Sequence, residues 1–454
     1  MSGPLRLVPG EWDALPALPR PRTGTRVRPS WAEDPIDELA ERLVEQIASA
    51  VHPYEVAALL ESDGLTGDQI TGRYDRPDLF TLAEDLYVRV PRHYPQPPPA
   101  PDPWRPDTVR CALRGLVFAL PGLAYVLGAG LWQGPADVTG LIVSGLAAWA
   151  WNQALSHRAH LRLAAGGPSA AARTLGIGAS AGAVGAAGIG LLASGPGTGA
   201  AFAAGQSCYL AAASVLLVLG KERALLATLV PAAAGGAGAW LQRPSDALAV
   251  VLLLSTVVLS ACAAGHAVRA ALRSGAPPSA GSRTGLLSSL PYGLFGLAAG
   301  TLAALAGLAD PLSVVVLTLS MGFAEWLLYH FRSLSLAALR AATSLRRFVL
   351  LELRALALCL GAYLALLGVG SLAVDTRPGE LLALGAVLWT ALLLQAFSLA
   401  WLPALVPLAA AAAEAGAAAA GLSLDPLQLI CRSAAAAVLA VAAARLLTRP
   451  TAHR

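Results

Sequence analysis

From residue 112 onward the sequence passes through one apolar run of about 20 residues after another, each long enough to cross roughly 30 Å of hydrocarbon. No motif in the chain restricts its folding as severely. A backbone inside a bilayer must satisfy its own N–H and C=O groups, and a helix does this within one segment. Spans are expected near residues 112–132, 138–156, 172–193, 199–220, 223–241, 246–268, 286–308, 311–330, 348–370, 381–401, 404–421 and 426–446. The fold class is therefore all-α: a polytopic membrane protein with about 12 transmembrane helices in two six-helix lobes, plus a small N-terminal cytoplasmic helical bundle. Composition agrees. Only 13% of residues are charged, against about 25% in a soluble domain, and mean hydropathy is +0.60.

Charge orients the spans. With the amino terminus in the cytoplasm, the inward loops receive Arg158, Arg162, Arg173, Lys221, Arg223, Arg269, Arg273, Arg283, Arg332, Arg340, Arg346, Arg347, Arg445, Arg449 and Arg454. The outward loops receive only Arg243 and Arg377. This is the positive-inside asymmetry, and it predicts a multi-pass protein of the bacterial cytoplasmic membrane with both termini cytoplasmic. The first 30 residues hold six prolines and no apolar run, so no secretory signal is expected there.

The part before the spans is acidic. Residues 1–110 hold 12 Arg against 18 Asp and Glu. Residues 1–30 lack hydrophobic period and read as a disordered tail. Residues 31–91 read as a cytoplasmic four-helix binding module. Asp34-Pro35 opens a helix with an apolar stripe at Ile36, Leu39, Leu43 and Ile47. Further helices are expected over 54–61, from Thr66 with Gln69 as a capping box, and from Pro77 onward. A proline-rich linker, 92–110, leads to membrane lobe 1 (111–268), a cytoplasmic loop (269–285), membrane lobe 2 (286–448) and a short tail (449–454). A cytoplasmic protein partner is expected to bind through 31–91, and no nucleic-acid partner is expected.

The division into lobes has a sequence mark. Gly115-Leu116 precedes Leu120-Pro121 in the first span, and Gly285-Leu286 precedes Leu290-Pro291 in the seventh, so Gly-Leu-x-x-x-Leu-Pro recurs after 170 residues. A parallel repeat of this kind places a site between the halves. Trp151-Asn152-Gln153 ends the second span, Gly166-Gly167-x-x-Ala-Ala-Ala-Arg173 follows it, and a long basic loop, 331–347, follows the eighth. On these residues the membrane part resembles the multidrug/oligosaccharidyl-lipid/polysaccharide exporter superfamily. The resemblance implies alternating access around a central cleft bordered by spans 1, 2, 7 and 8. It also implies a flippase-like transporter of an envelope precursor or lipid-linked saccharide, in contact with membrane lipids. The competing expectation is a non-transporting membrane anchor whose head recruits a cytoplasmic assembly. Cleft candidates are Arg114, Pro121, Asn152, Pro291 and Trp326.

Ionisable residues inside spans are costly and mark functional positions. Glu414 and Arg432 fall at matching depths in the last two spans, about 10 Å from one surface at about 1.5 Å per residue. Glu325 and Arg354 match in spans 8 and 9 near the other. Each pair is expected either to lock a hairpin or to carry proton or substrate coupling. Arg332, Arg340, Arg346 and Arg347 are expected to form a membrane-surface basic loop. Asn152, Gln153, Gln206 and Gln395 suit interhelical hydrogen bonds, and Gly178, Gly182, Gly296 and Gly300 suit close helix crossings. The five cysteines stand singly, no metal-ligand spacing or nucleophile–base constellation occurs, and neither enzymatic activity nor a cofactor is expected.

Overall fold

A computed structural model describes residues 35–94, 102–132, 134–239, 241–274 and 285–453. The expected disordered tail, residues 95–101 of the proline spacer and most of the loop before residue 285 lie outside the described residues. The chain divides into two compact units, one ending at Pro101 and the other beginning at Asp102. Among the described residues every regular element is helical.

The first unit contains α1 (Pro35–Arg42), α2 (Val44–Ser49), α3 (Pro53–Ser62), α4 (Gly67–Tyr74) and α5 (Leu79–Arg89). The stripe read as one helix is interrupted at Leu43, so it yields α1 and α2. Thr66 and Gln69 close the capping box of α4. Asp78, rather than Pro77, caps α5: its carboxylate accepts the Thr81 N–H at 2.7 Å. The five helices bury a shared cluster that includes Ile36, Leu39, Ile47, Leu60, Leu82 and Leu86.

The second unit opens with α6 (Thr108–Ala119) and α7 (Pro121–Gly128), which together form one spanning stretch. There follow α8 (Pro135–Ser194), α9 (Thr198–Val218), α10 (Glu222–Gly238) and α11 (Asp246–Arg273). After a 3-10 turn at Leu286–Ser289 come α12 (Leu290–Ala309), α13 (Pro311–Ala341), α14 (Leu345–Ala373), α15 (Pro378–Ala396), α16 (Leu402–Ala419) and α17 (Asp425–Leu447). Among the described residues, ten helical stretches are long and apolar enough to cross a membrane.

Two departures from the expected spans have local causes. Spans 2 and 3 form the single 60-residue α8, whose one non-helical residue is Gly167 at φ 70°, ψ −171°. Only glycine takes such a backbone without strain, and Pro168 follows it at a position where a proline can start a new turn. The basic loop 331–347 is not a loop. Helix α13 continues through Arg332 and Arg340 to Ala341, and α14 starts three residues after Ala342, at Leu345, under a Ser344 cap.

In the second unit, buried apolar side chains form two separate clusters. One joins Val117, Leu155, Leu175, Leu216 and Leu225 of the helices from α6 to α11. The other joins Phe295, Leu317, Phe331, Trp389, Leu394 and Leu439 of the helices from α12 to α17. These two groups, the first and second lobes, meet along two helix pairs, α6 with α13 and α8 with α12. Both pairs are built on small residues. A Cβ on Gly115 would lie 3.0 Å from the Gly322 Cα, and one on Gly322 would lie 2.9 Å from the Cys111 carbonyl oxygen. On the other side, a Cβ on Gly293 would lie 3.2 Å from the Ala150 carbonyl oxygen, and one on Gly296 would lie 2.8 Å from Gln153.

Candidate functional site

The two arginines that begin α6 are set four residues apart, so Arg110 and Arg114 share one helix face. Asp107 caps the helix by accepting the Arg110 N–H at 3.0 Å. Both guanidinium groups reach one carboxylate oxygen of Glu222, the first residue of α10. Arg110 donates through Nε and Nη2 at 3.2 Å, and Arg114 through Nε at 3.3 Å and Nη2 at 3.2 Å. A helix N-terminus favours a carboxylate at that position. Arg114 turns its remaining nitrogen, Nη1, to Glu325 on α13. One guanidinium therefore joins a carboxylate of its own lobe to a carboxylate of the other.

The four groups balance, two positive and two negative, beside the Gly115–Gly322 crossing. Cys111 is buried at the same crossing. Arg114 and Glu325 keep 21% and 20% of their side-chain surfaces exposed, so the pair is shielded without being sealed. Around it, Phe323, Trp326 and His330 stack along one face of α13, with ring centroids 5.8 and 4.9 Å apart. The segment leading into α6 is also held to α13. The Arg332 guanidinium lies 3.5 Å from the Trp104 ring centroid, and Ser333 donates a hydrogen bond to Asp102.

The second crossing carries a neutral counterpart. His157 of α8 stacks on Tyr292 of α12 at 3.7 Å between centroids, and its Nδ1 lies 3.1 Å from the Ser289 hydroxyl. Both crossings thus carry polar contacts toward the arginine-rich ends of their helices.

A separate polar group lies within the second lobe. Arg432 grips Glu414 with two hydrogen bonds, Nε to Oε1 at 3.0 Å and Nη2 to Oε2 at 2.8 Å, and both side chains are essentially unexposed. With its amide turned so that oxygen faces Arg432, Gln428 accepts from that guanidinium at 3.1 Å and donates to Glu380 at 3.2 Å. Glu380 and Asp425 in turn accept from Arg377 at the rim. The Asp425 carboxylate bound to Arg377 raises that exposed guanidinium further above its usual range.

Of the residues singled out from sequence, Arg114, Glu325 and Trp326 come together, and Glu414 meets Arg432. Glu325 does not pair with Arg354, which is exposed on α14 and whose side chain makes no hydrogen bond or ion pair among the described residues. Matching depth on consecutive spans was an insufficient guide, because α13 turns its Glu325 face toward α6 instead of toward α14. Asn152 lies on α8 with its Oδ1 buried and unpartnered among the described residues. Pro121 and Pro291 sit in the first turns of α7 and α12. Arg332 is engaged by Trp104, while Arg340, Arg346 and Arg347 are exposed at the α13–α14 turn.

Sequence reasoning passed over Arg110 and Glu222, assigning one to a linker and the other to a loop. The four-residue spacing of Arg110 and Arg114 was the available signal. It also passed over Glu352, fully buried and accepting from the Ser335 hydroxyl at 2.7 Å. Comparison with protein-family models, curated proteins and solved structures finds no match in any of the three.

Proposed function

We propose that the chain is a flippase-like transporter that crosses a bacterial cytoplasmic membrane twelve times, with its arginine-rich ends and both termini in the cytoplasm. The count takes α8 as two passes turning at Gly167 and includes α10, whose 17 residues span with a slight thinning of the bilayer. The cargo is an envelope precursor or lipid-linked saccharide, the class implied by the superfamily that the sequence resembles. Arg114 is the observation that supports transport best. Its simultaneous hold on Glu222 and Glu325 makes a cytoplasmic gate that opens when the lobes part and leaves Arg110 and Glu222 paired in the first lobe.

The test is transbilayer movement of a fluorescent polyprenyl-diphosphate saccharide in proteoliposomes, read by dithionite quenching of the outer leaflet. The wild-type protein accelerates it. Glu325→Gln slows it at least tenfold while keeping expression and monodispersity. Full activity in Glu325→Gln would remove the gate, and no activity in the wild type would remove transport.

A second reading, a non-transporting anchor that recruits a cytoplasmic assembly, draws support from the first unit. Residues 35–94 bury their own apolar cluster and hold 12 Asp and Glu against five Arg. Deleting residues 1–94 separates the two. A transporter keeps measurable lipid movement, whereas an anchor loses its cellular phenotype and never showed movement.

A further inference from the structure

Helices α3 and α5 of the first unit present an apolar face outside their own core. Tyr54 and Phe80 are 64% and 56% exposed, yet their rings meet edge to face with centroids 5.8 Å apart. The face continues on the Tyr54 side. His52 packs against Tyr54 at 4.7 Å between centroids, and the carbonyl of exposed Val51 accepts the Tyr87 hydroxyl at 2.6 Å. Exposed apolar side chains in contact with one another mark a binding surface, whereas scattered ones do not.

The border of this face is acidic. Glu55 follows Tyr54, and Glu84 stands one turn after Phe80, both of them exposed. The unit does not neutralise itself. Residues 35–94 hold 12 Asp and Glu against five Arg, and three of those arginines, Arg73, Arg76 and Arg89, are held by Glu38, Asp85 and Asp37.

The same chain supplies the complement. Residues 15–31, Leu-Pro-Ala-Leu-Pro-Arg-Pro-Arg-Thr-Gly-Thr-Arg-Val-Arg-Pro-Ser-Trp, hold four arginines, four prolines and no acidic residue. They lie outside the described residues. Pro16, Pro19 and Arg22 recur every third residue, the period that sets side chains along one ridge of a polyproline II helix. Such ridges dock on aromatic-lined surfaces, because little entropy is lost in ordering them. Arginine beside the ridge suits carboxylates at the border. Reach is sufficient: the 12 residues between Arg22 and Pro35 span about 37 Å at about 3.1 Å per residue, against a radius of gyration of about 10 Å for a unit of this size. Tethering on one chain gives an effective concentration on the order of millimolar, so contacts too weak to retain a free peptide retain this one.

We infer that the head binds residues 15–31 of its own chain on the Tyr54–Phe80 face, with the prolines against the rings and the arginines toward Glu55 and Glu84. Any protein that uses this face must displace the segment first. The inference holds whether the membrane body transports or only anchors.

The test places p-azidophenylalanine at Ala58, which is exposed on α3 one turn after Tyr54, in the full-length protein in detergent. After irradiation the cross-linked peptides are mapped by mass spectrometry. Cross-links are expected within residues 15–31. Their yield should fall at least fivefold in Tyr54→Ser with Phe80→Ser, and equally in Arg20→Glu with Arg22→Glu. The two arginines take no part in the head's buried cluster, so the second pair decides the matter if the first does not fold. Mixing isotopically heavy and light protein fixes the source of the segment. Cross-links confined to one chain support the inference, whereas mixed ones put the tail of a second copy on the face and overturn it. Cross-links to other segments, none at all, or yields indifferent to both pairs of substitutions overturn it as well.

Discussion

The Glu414–Arg432 pair has the highest stakes of any contact between individual residues. Neither side chain is exposed, and both carboxylate oxygens are used, so removing one partner leaves a bare charge among apolar helices. Arg432→Leu is expected to cost about 3–5 kcal/mol, and Glu414→Leu with Arg432→Leu to cost less than either single change. Unfolding of the detergent-solubilised protein measures both. A different residue gives the pH dependence of the head. The hydrogen bond from the Thr81 N–H, reinforced by the Thr81 hydroxyl, holds the Asp78 carboxyl below its usual range. Its folded pKa lies below its unfolded one, so its contribution is complete above the ordinary carboxylate range and lost as pH falls through the depressed value. The protection of amides 79–89 of the full chain, each exchange rate taken relative to its intrinsic rate at the same pH, should therefore be lower below the ordinary carboxylate range than at pH 7. Asp78→Asn keeps an acceptor for Thr81 and should lessen that acid sensitivity.

Among elements, the crossing of α6 and α13 decides the register of the charge cluster. Gly115 and Gly322 let the two backbones touch, which brings Arg114 to Glu325. In Gly322→Ala the new methyl group would meet the Cys111 carbonyl oxygen at 2.9 Å, a backbone atom that cannot swing away. The helices must part by several tenths of an ångström. The expected result is a weaker gate, read as faster reaction of Cys111 with a small water-soluble maleimide in Gly322→Ala than in the wild type. An unchanged rate would mean that the glycine contact does not set the register. This crossing also shows why sequence reading stopped where it did. Depth along a span follows from counting residues, and it placed Glu414 level with Arg432. The direction a helix face takes does not follow from counting, and Glu325 went to α6 rather than to α14.

For the whole molecule, apolar run length was enough to identify a helical membrane body, and the boundary between head and body fell in the proline-rich stretch where the two units divide. The Gly-Leu-x-x-x-Leu-Pro repeat marks the starts of the two apolar clusters. Two things were hidden. The turns at Gly167 and at 342–344 are shorter than the polar stretches around them, because the helices continue through the arginines on either side. Charges at helix starts, Arg110 and Glu222, looked like loop residues until the helices were packed together. The central claim is that the lobes separate at Arg114 and Glu325 during transport. It is tested most directly by a protein freed of its native cysteines and carrying Phe118→Cys and Leu319→Cys, exposed positions three residues from the Gly115–Gly322 crossing that leave Arg114 and Glu325 in place, joined by a short reducible bis-thiol cross-linker in the same proteoliposomes. Movement of the fluorescent lipid-linked saccharide should stop when the linker is in place and resume on reduction. Equal movement before and after reduction would contradict the account.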